Sequence, residues 1–353
     1  GSAVPRLGKA RLSSDWASQT YPLLSSGRVE QQANPGPTWT SVASYRDLFD
    51  AVRPAVNTVQ FIGHNTLRAG VMGYEPREAT PDELNEMRRR LEQALDEGGW
   101  GFTTGLLYQP GKYAAEGEVT ALARVTAAKR GMYATHMRSE GDRLLESVED
   151  VLRLSRETGI RVQISHLKTS GKSNWHKVDA LLEALNRARE EGVEVHSDRY
   201  PYTAAGTDLD VVLPDWASAG GRDAILKNLR DPETRRRVED ELDGGGREWA
   251  DVMIGGGWSE DVRALSGRSV AEAAEALGLT PAQTVCRCID LDDTRTGAFF
   301  FGMCEANLRR IYSEPWIMPG SDASVRAPWG PLGKDHPHPR AYGTMPRYLR
   351  LVT

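Results

Sequence analysis

Residues 132–168 read MYATHMRSEGDRLLESVEDVLRLSRETGIRVQISHLK, and this stretch decides the fold class. It opens with a β-rich run, Met132 to Thr135, that ends in His136. An amphipathic helical pattern follows over about 142–158 and stops at Gly159, which tolerates the left-handed turn that ends many helices. A second β-rich run, Ile160 to Ser165, then ends in His166. Strand, helix and strand within about thirty residues make one βαβ unit, whose two strands run parallel.

The rhythm extends in both directions. Downstream, a helix over about 176–191 stops at Gly192, and the strand Val193 to Ser197 runs into Asp198-Arg199-Tyr200-Pro201-Tyr202. Upstream, a short helix is expected over 44–53 and a strand over Val56 to Ile62, ending at Gly63-His64. Thr80, Pro81 and Glu83 form a helix start with a capping box, and Gly98 marks its end. A strand at 101–106 and a helix over about 116–130 complete the series. The stretch 208–315 breaks the pattern with Gly244-Gly245-Gly246, Gly255-Gly256-Gly257 and helix starts at Ser269 and Thr280. A last strand, Trp316 to Met318, leads to Gly320-Ser321-Asp322.

Six strands, beginning at 56, 101, 132, 160, 193 and 316, are therefore expected in an α/β fold. Rhythm alone fits a closed barrel or an open doubly wound sheet, and no G-x-G-x-x-G turn follows any strand to favour a dinucleotide site. The expected organisation is an irregular segment 1–43, βα units over 44–207, an insertion or lid over 208–315, and the last strand with its loop over 316–353.

Composition narrows the partners. The net charge of -5 offers no surplus of Lys and Arg for nucleic-acid phosphates. Arg88-Arg89-Arg90 and Arg235-Arg236-Arg237 sit among acids and read as solvated helix faces. No apolar run is long enough for a membrane span. Three cysteines, Cys286, Cys288 and Cys304, make no disulfide framework, so a cytoplasmic protein with buried structural thiols is expected.

Active-site residues of parallel α/β folds gather at the carboxyl ends of strands. His136 and His166 end neighbouring strands and are candidate metal ligands; the alternative is two unrelated histidines that anchor loops. Asp322 is a candidate general base on a metal-bound water, or else a turn aspartate. His64 is a weaker candidate that can equally anchor its own turn. Arg138 and Lys168 each lie two residues past a candidate ligand. Cations there suit a substrate carboxylate, with surface ion pairs as the alternative.

The motifs GHNTLRAGVMG (63–73), GFTTGLLYQPG (101–111), YATHMRSEG (133–141), QISHLK (163–168) and DRYPYTAAGTDL (198–209) occur in that order. LPDWASAGG (213–221), FFGMCEANLRRI (300–311), GSDAS (320–324) and HPHPRAYGTMPR (336–347) follow. Together they resemble the N-acyl-D-amino-acid deacylase (D-aminoacylase) family of the amidohydrolase superfamily, from about residue 40 to the end.

The resemblance implies a (β/α)8 TIM-like barrel and hydrolysis of the amide of an N-acyl-D-amino acid. It implies Zn2+ on His136 and His166, with Asp322 as base and then acid. Lys168 and Tyr200, and less directly Arg138, would hold the substrate carboxylate. Gly206 and Thr207 stand where many members have serine, which removes one expected carboxylate contact. The family's opening sandwich, its His-x-His strand and its metal-binding cysteine have no counterpart here, and GSAVPRL (1–7) resembles the segment just after that cysteine. The expectation is thus an incomplete barrel of six strands, the first two missing. Two rivals stand beside it: a non-catalytic relative with a partial metal site, and a hydrolase of cyclic amides.

Overall fold

A computed structural model of the chain describes residues 39–54, 56–324, 326–329 and 337–353. The expectations for residues 1–38, GSAVPRL included, and for His336 lie outside the described residues. Five strands come first: β1 (Phe61–Gly63), β2 (Gly101–Gly105), β3 (Met132–His136), β4 (Arg161–Ile164) and β5 (Val195–Arg199). Three more, β6 (Ala205–Asp208), β7 (Val252–Ile254) and β8 (Gly297–Phe300), precede β9 (Ile317–Pro319).

Contacts divide the chain into two compact units. The first runs to Pro201 and regains Ala306–Ser324 and Thr344–Thr353; the second is Tyr202–Glu305 with Val325–Gly343. These boundaries differ from the expected 208–315. The helix Glu305–Tyr312, assigned above to the excursion, buries Leu308 and Ile311, and Ile311 joins the core of the first unit.

In the first unit a six-stranded sheet has the order β1-β2-β3-β4-β5-β9, every pair parallel. The expected barrel is therefore seen as an open sheet among the described residues, with β1 and β9 as its edges. Alternation along the strands separates two faces. Ile62, Phe102, Tyr133, Val162 and Val195 form one face, fully buried with the helices α1 (Val42–Val52), α2 (His64–Met72), α3 (Pro81–Asp96), α4 (Glu116–Ala128), α5 (Leu144–Thr158) and α6 (Val178–Glu190). Each large side chain so buried stabilises the fold by about 1.5–3 kcal/mol. The opposite face carries Met132, Ala134, His136, Gln163 and Asp198, half-buried, and exposes Arg161 and His196.

The helix starts follow from their caps. Thr80 Oγ1 accepts from the Glu83 N–H while Glu83 accepts from the Thr80 N–H at 2.8 Å. Gly159 ends α5 with φ 67°. The strand expected from Val56 forms only at 61–63. Residues 56–59 are exposed and unpaired in the sheet, so their β propensity finds no neighbour to satisfy it.

The second unit holds an antiparallel sheet of order β6-β8-β7, which the sequence reading did not include. Its core packs Leu209, Val238, Ile254, Val270 and Val285 around Cys286 and Cys288. Ser269 and Thr280 start helices through capping boxes, as expected. His338 is buried and serves its loop: its Nδ1 accepts from the Arg340 N–H at 3.0 Å, so its Nε2–H donates to the Ala204 carbonyl at 2.9 Å. Among the described residues no helix is long and apolar enough to cross a membrane.

Candidate metal centre

His136 is the last residue of β3, and its carbonyl accepts from the Leu106 N–H at 3.1 Å. His166 lies two residues past β4 in a turn with φ 45°, a left-handed conformation that non-glycine residues adopt at a cost. Neighbouring strands hold that turn in place. The His166 N–H donates to Asp198 Oδ1 at 2.8 Å, the Leu167 N–H to the Asp198 carbonyl at 2.8 Å, and the Ser165 N–H to the Thr135 carbonyl at 2.9 Å. Gln163 Nε2 donates to the other Asp198 oxygen at 2.7 Å.

This scaffold brings the two imidazoles together. His136 Nδ1 stands 2.9 Å from His166 Nε2, with ring centroids 4.6 Å apart. Glu140 enters from the loop after β3. Its Oε1 lies 2.9 Å from His166 Nδ1 and also bonds Lys168 Nζ, while its Oε2 lies 3.9 Å from His136 Nε2. Lys168 Nζ is 2.7 Å from His166 Nδ1. His136, Glu140 and His166 thus offer ligand atoms within 4.8 Å of one another.

The electrostatics suit a cation. Burial, reinforced by His166 and Lys168 and opposed by Glu140 and Asp322, pushes His136 down to about 4. At neutral pH it therefore presents a lone pair. Burial alone would raise Glu140, yet Lys168, His136 and His166 hold it well below the usual carboxylate range. Two nitrogens bound to one tetrahedral zinc stand about 3.3 Å apart; the facing pair at 2.9 Å needs only a small separation. The residues fit a zinc ion.

The other expected residues are placed as follows. Tyr200 is buried next to the cluster, with its ring 5.8 Å from Lys168 Nζ, 4.2 Å from the Arg199 guanidinium and 6.5 Å from the His166 ring. Asp322 is exposed on the loop after β9 with φ 48°, and its charge acts on His136. Gly320 precedes it where a Cβ would come within 2.8 Å of Asp198 Oδ1, so glycine is required for the loop to pass that carboxylate.

Arg138 is not brought to the cluster. Its guanidinium donates to the Lys112 and Ala114 carbonyls at 3.1 and 2.6 Å, and it lines a cavity of about 340 Å³ with Leu106, Tyr133, Met137, Ser147 and Val151. His64 is also elsewhere, fully buried with its Nε2 2.7 Å from Glu118 Oε1, a carboxylate shared with Arg68.

Glu140 is the residue that the sequence reading missed. Its only signals were its position four residues after His136 and the need of a buried Lys168 for a counter-charge.

No protein-family model matches the chain. The N-acyl-D-glutamate deacylase of Alcaligenes xylosoxydans xylosoxydans is 33% identical over 316 residues, covering 89% of this chain and 55% of that protein. The D-aminoacylase of the same organism is 32% identical over 307 residues, 87% of this chain and 54% of the relative. A crystal structure of the N-acyl-D-glutamate deacylase from Bordetella bronchiseptica, complexed with zinc and a phosphonate inhibitor, superposes with a TM-score of 0.71 at 32% identity, covering 90% of this chain and 58% of that one.

Over most of its own length the chain is similar to D-aminoacylases and N-acyl-D-glutamate deacylases. A crystal structure of D-aminoacylase, described as defining a novel subset of amidohydrolases, matches with a TM-score of 0.68 at 31% identity over 88% of this chain and 56% of that one. The chain spans a little over half the length of the curated proteins that it matches.

Proposed function

We propose that the chain carries the metal centre of a zinc-dependent enzyme that hydrolyses the amide bond of N-acyl-D-amino acids. The observation that carries this reading is the 2.9 Å approach of His136 Nδ1 and His166 Nε2, with the Lys168 ammonium beside them. Zinc, when bound, supplies Lewis acidity toward the acyl carbonyl and an acidified water.

The protein residues do the rest. His136 and His166 hold the ion. The Asp322 carboxylate takes a proton from the attacking water and returns it to the leaving amine nitrogen, so the group is restored at each turnover. Lys168 and the Tyr200 hydroxyl receive the substrate carboxylate, and this fixes which enantiomer lays its amide over the ion. Arg138, the weaker candidate for the same carboxylate, is engaged with the Lys112 and Ala114 carbonyls. The substrate is a small N-acyl amino acid, and the setting proposed is the cytoplasm.

Zinc-loaded protein assayed against N-acetyl-D-glutamate, N-acetyl-D-aspartate and N-acetyl-D-leucine tests the reading, with the L enantiomers and a hydantoin as controls. Release of free D-amino acid, abolished by Asp322→Asn with zinc retained, is the expected result. Zinc-loaded protein that releases nothing from any linear amide contradicts it, and turnover of the hydantoin alone replaces it with the cyclic-amide reading.

A further inference from the structure

The two faces of the histidine pair are not equivalent. The nitrogens facing each other are His136 Nδ1 and His166 Nε2. The nitrogens facing away are His136 Nε2 and His166 Nδ1, and both of these look toward one carboxylate, at 3.9 and 2.9 Å from Glu140 Oε2 and Oε1. From this geometry we infer that Glu140 is a positioning residue shared by both imidazoles and Lys168, and that it does not itself ligate the ion. The inference rests on the metal centre of the proposed function but on no particular substrate.

A neutral imidazole has one N–H and one lone pair. If His166 gives its Nε2 lone pair to an ion, its proton sits on Nδ1 and must donate. Lys168 Nζ has no acceptor to offer, so the available acceptor is Glu140 Oε1. His136, giving its Nδ1 lone pair, keeps an N–H on Nε2; that atom has no hydrogen-bond partner as it stands, and Glu140 Oε2 is the carboxylate oxygen beside it at 3.9 Å. Lys168 Nζ, which can only donate, stands 2.7 Å from the same His166 Nδ1, so an N–H on that nitrogen sets two donors on Glu140 Oε1. That arrangement excludes a Lys168–His166 bond and leaves the ammonium held by Glu140. Carboxylates behind metal-binding histidines fix tautomer and ring orientation in this way.

The test uses the full chain and zinc alone. Glu140→Gln keeps the volume and one acceptor oxygen; Glu140→Ala removes both. Zinc affinity is measured by competition with a chromophoric chelator, and the ring tautomers by long-range 15N–1H NMR of the zinc-loaded protein. We expect the parent to show His166 protonated at Nδ1. Glu140→Gln should reach the parent's zinc content at saturation with an affinity weakened by about 10–100-fold, and Glu140→Ala should lose the slowly exchanging Nδ1–H signal. Where Glu140→Ala does not fold, the affinity of Glu140→Gln decides alone. A folded variant that holds no zinc at saturation makes Glu140 a ligand and overturns the inference, as do variants whose affinity and ring signals match the parent's. A parent that binds zinc but hydrolyses no amide defeats the deacylase reading and leaves this one standing; a parent that binds no zinc overturns both.

Discussion

The Asp198 carboxylate receives the backbone N–H of His166 at 2.8 Å, so a residue on β5 dictates the turn that aims a histidine at the end of β4. Its second oxygen is taken by Gln163 at 2.7 Å. Asp198→Ala leaves both donors without their acceptor and should destabilise the fold by about 1–3 kcal/mol. It should also lower zinc affinity, because the left-handed backbone of His166 loses its restraint. Asp198→Asn, which keeps an oxygen for His166, should fall between the two. Urea denaturation with a parallel zinc titration checks both effects; an Asp198→Ala protein with unchanged affinity would separate this carboxylate from the metal centre.

Acid should begin to destabilise the first unit as the pH falls below about 6.5. His136 is held down to about 4 against an ordinary value of 6.5, chiefly by burial. Burial also lowers buried His64, an effect its Glu118 partner opposes. For a group depressed in the folded state, the stabilisation is complete above its unfolded value and is lost as pH falls toward its folded one. Stability should thus fall between about pH 6.5 and 4, with His136 alone contributing on the order of 3 kcal/mol. Denaturant midpoints measured at pH 7.5, 6 and 5 on metal-free protein give the slope, and His136→Gln should flatten it. A midpoint that stays constant across that range refutes the assignment.

The cysteines should report burial. Cys286 and Cys288 lie fully buried on the helix Pro281–Leu291, and burial raises both thiols to about 12, while Cys304 is half-buried. The thiolate is the reactive form. Iodoacetamide at pH 8 followed by peptide mass spectrometry should find Cys304 alkylated and the other two protected until denaturant is added. Equal labelling of all three without denaturant would contradict the packing of the second unit.

Legibility followed physical signal. The repeating strands and helices of the first unit could be read because capping residues such as Thr80 and Glu83, the stop at Gly159 and the apolar periodicity all agree locally. The ends of β3 and β4 followed, and with them His136 and His166. The antiparallel sheet was hidden because its strands are only three or four residues long and lie next to glycines, too short to show alternation. Arg138 shows a different limit: sequence gives a guanidinium its place but not its direction, and here it turns to the Lys112 and Ala114 carbonyls. Glu140 was invisible because a loop carboxylate acquires meaning only once two strands have brought His166 and Lys168 to it.

Extended X-ray absorption at the zinc edge, combined with zinc content of His136→Ala and His166→Ala proteins, tests most directly whether these two imidazoles share one cation. The parent should bind zinc in near-equimolar amount with nitrogen scatterers at about 2.0–2.1 Å, and each variant should lose the zinc while keeping its circular dichroism. Zinc retained in both folded variants, or a parent with a zinc shell free of imidazole, would contradict the account.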